Sequence, residues 1–171
     1  VVGNIEDIGL ESIGLETDGS SIKIDQYNRT NISNIYAIGD VSGPPWLAHV
    51  ASTQGHLAAE HAFGLDTIPI DYSNIPGCTY CQPQVGSIGM TEEQAMESGH
   101  KVKVGRFSFQ ASGKAMAVGD TTGFVKLIFE KKYGELLGAH IVGAEATEMI
   151  AELGIAKALE TTWEDIGMTM H

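Results

Sequence analysis

The chain has 171 residues, with 22 acidic against 10 basic side chains, a formal net charge of −12 and 43% hydrophobic residues. That is enough apolar material for a core. The charge argues against a nucleic-acid binder, which needs a cationic face, and against docking on anionic lipid. No run of about 18 apolar residues occurs, so no membrane span is expected, and the N-terminus lacks the basic and apolar regions of a signal peptide.

The first 72 residues carry two basic and ten acidic side chains, the remaining 99 carry eight and twelve. The shift falls at Asp71-Tyr72-Ser73-Asn74-Ile75-Pro76-Gly77, a turn-rich connection that predicts a boundary between a first region, 1–72, and a second, 73–171. In the first region Asp18-Gly19 is a turn signal, and the alternation over 21–25 predicts a strand. The apolar run 34–38 reads as a buried strand ending at Gly39-Asp40. Gly43-Pro44-Pro45 then leads into a helix over 46–63, with Leu47, Val50, Ala51, Ala58 and Ala62 at helical spacing and Gly64 as its stop.

In the second region Cys78 and Cys81 are the only cysteines. They exclude a disulfide scaffold, and no histidine pair completes a zinc site, so they are expected to be plain thiols near a strand, with no metal bound. Thr91-Glu92-Glu93-Gln94 opens a short helix that Gly99 ends. A strand over 101–109 needs a bulge or turn between Val104 and Phe107 to bring both to one face. Residues 123–130 alternate through Val125, Leu127 and Phe129, and Tyr133-Gly134 turns them into a strand over 135–142. A helix over 144–159 carries Ile150, Leu153 and Ile155 among many small residues, which fits core packing and a subunit interface. Glu145, Glu148 and Glu152 read as its solvated face, and His140 as a core or interface histidine. The order defines an α+β class, a mainly antiparallel sheet with helices on one face.

One constellation carries chemistry. A strand ending in Gly39-Asp40 places two acceptor oxygens where ligands bind in open α/β sheets. A helix start a few residues later offers free N–H donors and a partial positive charge. Together they suit a ligand with hydroxyls at one end and an electron-rich ring at the other, a reduced flavin for example. The alternative is an Asp40 that caps the following turn.

Residues 23–63 resemble the end of the central region of the pyridine-nucleotide disulfide oxidoreductases. The matching stretches are Arg29-Thr30, Asn34-Ile35-Tyr36-Ala37-Ile38-Gly39-Asp40-Val41, Leu47-Ala48-His49, Gln54-Gly55 and Ala58-Ala59-Glu60. The second region resembles that family's C-terminal dimerisation domain through Val85, Ile88-Gly89, Thr91-Glu92, Ala115, Ala117, Gly123-Phe124-Val125-Lys126, Leu137-Gly138-Ala139-His140-Ile141-Val142-Gly143, Glu148 and Ile150. The similarity is greatest to the branch that oxidises dihydrolipoyl groups.

The resemblance implies that Asp40 bonds the ribityl chain of FAD, while Trp46, Leu47, Ala48 and His49 present backbone N–H groups to the flavin's pyrimidine edge. It implies NAD as the second cofactor, a homodimer, and a lipoyl-bearing acyltransferase of a 2-oxo acid dehydrogenase complex as partner. No catalytic residue is expected in the chain itself. The family's Gly-rich fingerprint, redox cysteine pair and NAD-binding unit are expected before residue 1, and its catalytic His–Glu pair just after His171, which matches the histidine next to the base. The chain is expected to be an inactive C-terminal fragment of a cytoplasmic enzyme. Alternatives are a non-catalytic dimerisation module, or a mercuric, glutathione or coenzyme A-disulfide reductase as parent.

Overall fold

The computed structural model describes residues 2–170. The chain divides into two compact units, Val1–Asp71 and Tyr72–His171.

The first unit is built from turns more than from ladders. Strands β1 (Thr17–Asp18) and β2 (Ser21–Ile22) form a two-stranded antiparallel hairpin closed by Gly19, whose φ of 58° is the left-handed value such a tight turn requires. The expected strand over 21–25 is cut short. The Asp25 carboxylate accepts the N–H groups of Tyr27 and Arg29 at 2.9 and 3.0 Å, which turns the chain back on itself. The expected strand over 34–38 is likewise reduced to one antiparallel bridge, Arg29 to Tyr36. Its only ladder partner is the short segment between two turns, so pairing cannot extend. Leu15, Ile22 and Ala37 are buried together, with Ile24, Ile35 and Val41 packed around them.

Helix α1 runs Ala48–Ala62, two residues later than expected, with Leu47 as its N-cap. Its buried face is Val50, Gln54, Leu57 and Ala58, whereas Ala62 is exposed. Gly64, at φ 73°, ends it as expected: the Gly64 and Leu65 amides donate to His61 and Glu60 carbonyls, both at 3.0 Å. Tyr36 Oη lies 2.8 Å from His61 Nδ1 and Tyr27 stacks on the same ring, tying the last turns of α1 to the preceding loop.

The second unit is a five-stranded antiparallel sheet in the order β3 (Gly77–Thr79), β4 (Gln84–Gly89), β7 (Leu136–Gly143), β6 (Gly123–Glu130), β5 (Val102–Ser108). Helix α2 (Glu92–Glu97) follows β4, α3 (Gly113–Val118) follows β5, and α4 (Ala146–Ala158) and α5 (Trp163–Met168) follow β7. The sequence reading leaves β3, β4, α3 and α5 unassigned. The small residues of β4 weaken its apolar alternation, yet they have a reason. A Cβ at Gly86 would lie 2.5 Å from the Ala146 carbonyl, so α4 can pack on β4 only over a glycine.

Helices cover both faces of the sheet, not one. On the α4 side Ile88, Phe129, Leu136, Ala139, Ile141, Ile150 and Leu153 share a core. On the α2 side Ala95 packs with Ile128 and Leu137, and Val102 and Val104 lie against them. The expected irregularity between Val104 and Phe107 does not occur. The register from β5 to β6 is unbroken, so Phe107 stays on the opposite face and is half exposed. The register shift lies instead between β6 and β7 at Ile128/Phe129, where Leu137 is the extra residue. That shift lets Leu136 face α4 while Leu137 faces α2.

The turn and cap signals hold. Thr91 and Gln94 form a reciprocal capping box at α2, with Gly99 at φ 87° after its end. Gly134, at φ 83°, sits in the β6–β7 connection. A second capping box, Thr162 with Asp165, starts α5, and Trp163 packs edge-on against Phe129. In α4, Ile150 and Leu153 are buried, and Ile155 is exposed on the side that carries Glu148 and Glu152. His140 is half buried, its Nε2 3.1 Å from the Met90 carbonyl.

Candidate functional site

The chemistry-bearing constellation lies in the first unit. The chain leaves Ala37 extended and enters a 3-10 turn, Gly39–Ser42, whose first residue has φ 72°. This turn lies against α1. The Gly39 N–H donates to Gln54 Oε1 at 2.7 Å, and a Cβ at Gly39 would stand 3.3 Å from that of Ala51. The Ser42 hydroxyl donates to the Gly39 carbonyl at 2.8 Å and closes the turn.

Asp40 is exposed, and among the described residues its side chain caps no turn. The capping alternative is therefore not what the structure contains. Among the described residues its carboxylate enters no ion pair, so both oxygens remain available as acceptors.

Trp46 and Leu47 precede α1, and Ala48 and His49 form its first two positions. No side chain caps this helix. The N–H groups of Ala48, His49 and Val50 thus have no intrahelical acceptor and project from the positive end of a 15-residue helix. The His49 and Trp46 side chains are exposed, and the His49 carbonyl accepts the Thr53 hydroxyl at 3.0 Å. Nearby in sequence, burial works to raise the Asp25 carboxyl. The Tyr27 and Arg29 amides, with the Arg29 guanidinium 3.3 Å away, outweigh it and hold the group below its ordinary value.

Sequence reasoning quoted Gln54 only within the stretch Gln54-Gly55 and gave it no role of its own. It is 3% exposed, a polar residue on the apolar face of α1. Its position, four residues after Val50 and three before Leu57, was the available signal.

In the second unit the main charged cluster is Glu92, which meets Lys126 Nζ at 2.7 Å and Arg106 at 3.2 Å. The Lys126 hydrogen bond, above all, keeps the Glu92 carboxyl below the usual range. Cys78 lies in β3, its thiol pushed up by burial and by Glu148, while Cys81 is exposed. No group of three potential metal ligands occurs among the described residues. No helix there is long and apolar enough to cross a membrane. His171, expected to neighbour the base, lies outside the described residues, as does the His–Glu pair expected beyond it.

The chain belongs to the pyridine nucleotide-disulphide oxidoreductase family: the model of its dimerisation domain matches residues 75–171, and a further model of the family matches residues 1–55. The chain is 53% identical to a dihydrolipoyl dehydrogenase of Rhizobium etli and 52% identical to one of Zymomonas mobilis, each over 99% of the chain. It spans 36% and 37% of those proteins' lengths. Among solved structures it resembles LpdA from Mycobacterium tuberculosis, with a TM-score of 0.93 and 26% identity over 99% of this chain and 37% of that one. The HOCl-induced flavoprotein disulfide reductase RclA from Escherichia coli matches at TM-score 0.88 and 25% identity, over 95% of this chain and 38% of that one.

Proposed function

We propose that this chain supplies one wall of the flavin site and the subunit interface of an NAD-dependent dihydrolipoyl dehydrogenase. In this reading residues 1–72 are the end of the FAD-binding and central region, and residues 73–171 the dimerisation domain. The observation that carries it is the pairing of an exposed, unpartnered Asp40 carboxylate with the uncapped start of α1, both packed on one turn. The set fits a flavin: an acceptor for ribityl hydroxyls, and N–H donors with a positive helix end for an electron-rich ring edge.

When bound, FAD carries electrons between a dithiol and NAD. The chain's own part is to bind and orient. Asp40 accepts hydroxyl hydrogen bonds, and the amides of Ala48 and His49 favour negative charge on the ring.

The homodimer is supported by the dimerisation-domain match and by exposed apolar groups on α4 and α5, namely Ile155, Leu159 and Met168. A lipoyl-bearing acyltransferase as electron donor and a cytoplasmic setting complete the proposal.

The test is made on the full-length flavoprotein. Asp40→Ala is expected to weaken FAD binding by about ten-fold, the worth of one hydrogen bond to a charged group. Turnover is expected with dihydrolipoamide and not with glutathione, and light scattering is expected to give a dimer. Unchanged FAD affinity in Asp40→Ala, or a preference for glutathione, overturns the reading.

A further inference from the structure

Gln54 is almost wholly buried on α1, in a helix face otherwise made of Val50, Leu57 and Ala58. A carboxamide in an apolar environment costs stability unless it is hydrogen-bonded. Its Oε1 accepts the Gly39 N–H at 2.7 Å, shorter than the usual distance for such a bond, and lies 3.5 Å from the Ser42 hydroxyl. Gly39 has φ 72° and leads directly into Asp40. The amide that Gln54 holds therefore belongs to the Ile38–Gly39 peptide unit, one residue ahead of the one that presents the carboxylate. The same turn is closed from its other end by Ser42 on the Gly39 carbonyl, at 2.8 Å. A flexible glycine is thus fixed through both its donor and its acceptor.

We propose that Gln54 is a positioning residue for the flavin site, acting through Gly39. Its carboxamide oxygen pins the Gly39-Asp40 turn to the body of α1, so that the Asp40 carboxylate and the α1 N-terminus keep a set relation before any ligand arrives. Pre-organisation of this kind raises affinity because the ordering cost of the turn is met in folding. The proposal rests on the flavin reading above.

Three variants of the full-length flavoprotein test it. Gln54→Met keeps the length and removes the acceptor. Gln54→Glu keeps an acceptor in the same place. Asp40→Ala probes the flavin contact itself. Gln54→Met is expected to raise the dissociation constant for FAD about ten-fold and to speed hydrogen exchange of the Gly39 amide in the flavin-free protein. Gln54→Glu is expected to restore the affinity to within about three-fold. A lowered melting temperature in Gln54→Met with FAD affinity unchanged assigns Gln54 a purely structural role and overturns the proposal. Failure of Gln54→Glu to recover affinity, with its fold intact by circular dichroism, does the same. If Asp40→Ala leaves FAD affinity unchanged, the flavin reading falls and the positioning role with it, while Gly39 exchange still reports separately whether Gln54 holds the turn.

Discussion

The two units solve the same problem with different materials. Tyr72–His171 buries apolar residues on both faces of a five-stranded sheet, with Ile128, Leu136, Ala139 and Ile150 essentially inaccessible. Val1–Asp71 has a two-residue hairpin, one isolated bridge and a core of Leu15, Ile22 and Ala37. Its conformation is set by side chains that replace ladder bonds: Asp25 on Tyr27 and Arg29, Thr30 on Ile32 and Ile35, Gln54 on Gly39. The unit with the ladders offers interface. In the proposed reading the unit held by polar turns carries the ligand-facing groups, as expected where backbone must be left available to a ligand.

The largest test of that contrast is dissection. Residues 72–171 expressed alone are expected to unfold cooperatively on heating, whereas residues 1–71 alone are expected to show no cooperative transition by circular dichroism. A sharp transition in the shorter piece would break the comparison. Next comes the core. Ile128→Ala is expected to cost about 3–4 kcal/mol in denaturant unfolding, because it empties a fully enclosed site, and Leu15→Ala about half as much. Equal costs would show that the small core is as well packed as the large one.

The smallest effect sharpens the electrostatic side. Glu92 has its folded pKa held below the ordinary 4.5 by Lys126 and Arg106. Its contribution to stability is therefore complete above that value and is lost as pH falls through the lower, folded one. In Glu92→Gln the melting temperature is expected to fall less steeply on acidification below 4.5 than in the parent. Identical slopes would remove Glu92 from the acid response.

What could be read from the sequence follows the same division. In the second unit alternation, caps and turns agree with the final structure: 123–130 as a strand, Thr91 with Gln94 as a cap, Gly134 as a turn. In the first, the strand expected over 21–25 is cut to Ser21–Ile22 and that over 34–38 to one bridge, because the Asp25 turn competes with pairing and propensity does not register it. The candidate site was legible as a Gly-Asp step before a helix. Its support was not, because Gln54 is a polar residue whose purpose appears only when Gly39 comes beside it. Helices α3 and α5, of six residues each, are too short for a periodic signal to emerge.

The extra residue at Leu137 has a consequence for the length of the chain itself. Adjacent residues of a strand face opposite ways in any case, and the extra residue decides which leucine takes which face: Leu136 joins Ala139 and Ile141 on the α4 side, and Leu137 joins Ile128 on the α2 side. Deleting Leu137 would restore an even count between β6 and β7 and, with it, an ordinary strand. Leu136 would keep its place opposite Phe129 on the α4 side, and the α2 side would lose the leucine that β7 gives it. The second core thus takes its β7 side chain from an insertion in the ladder, a residue that strand pairing by itself does not require.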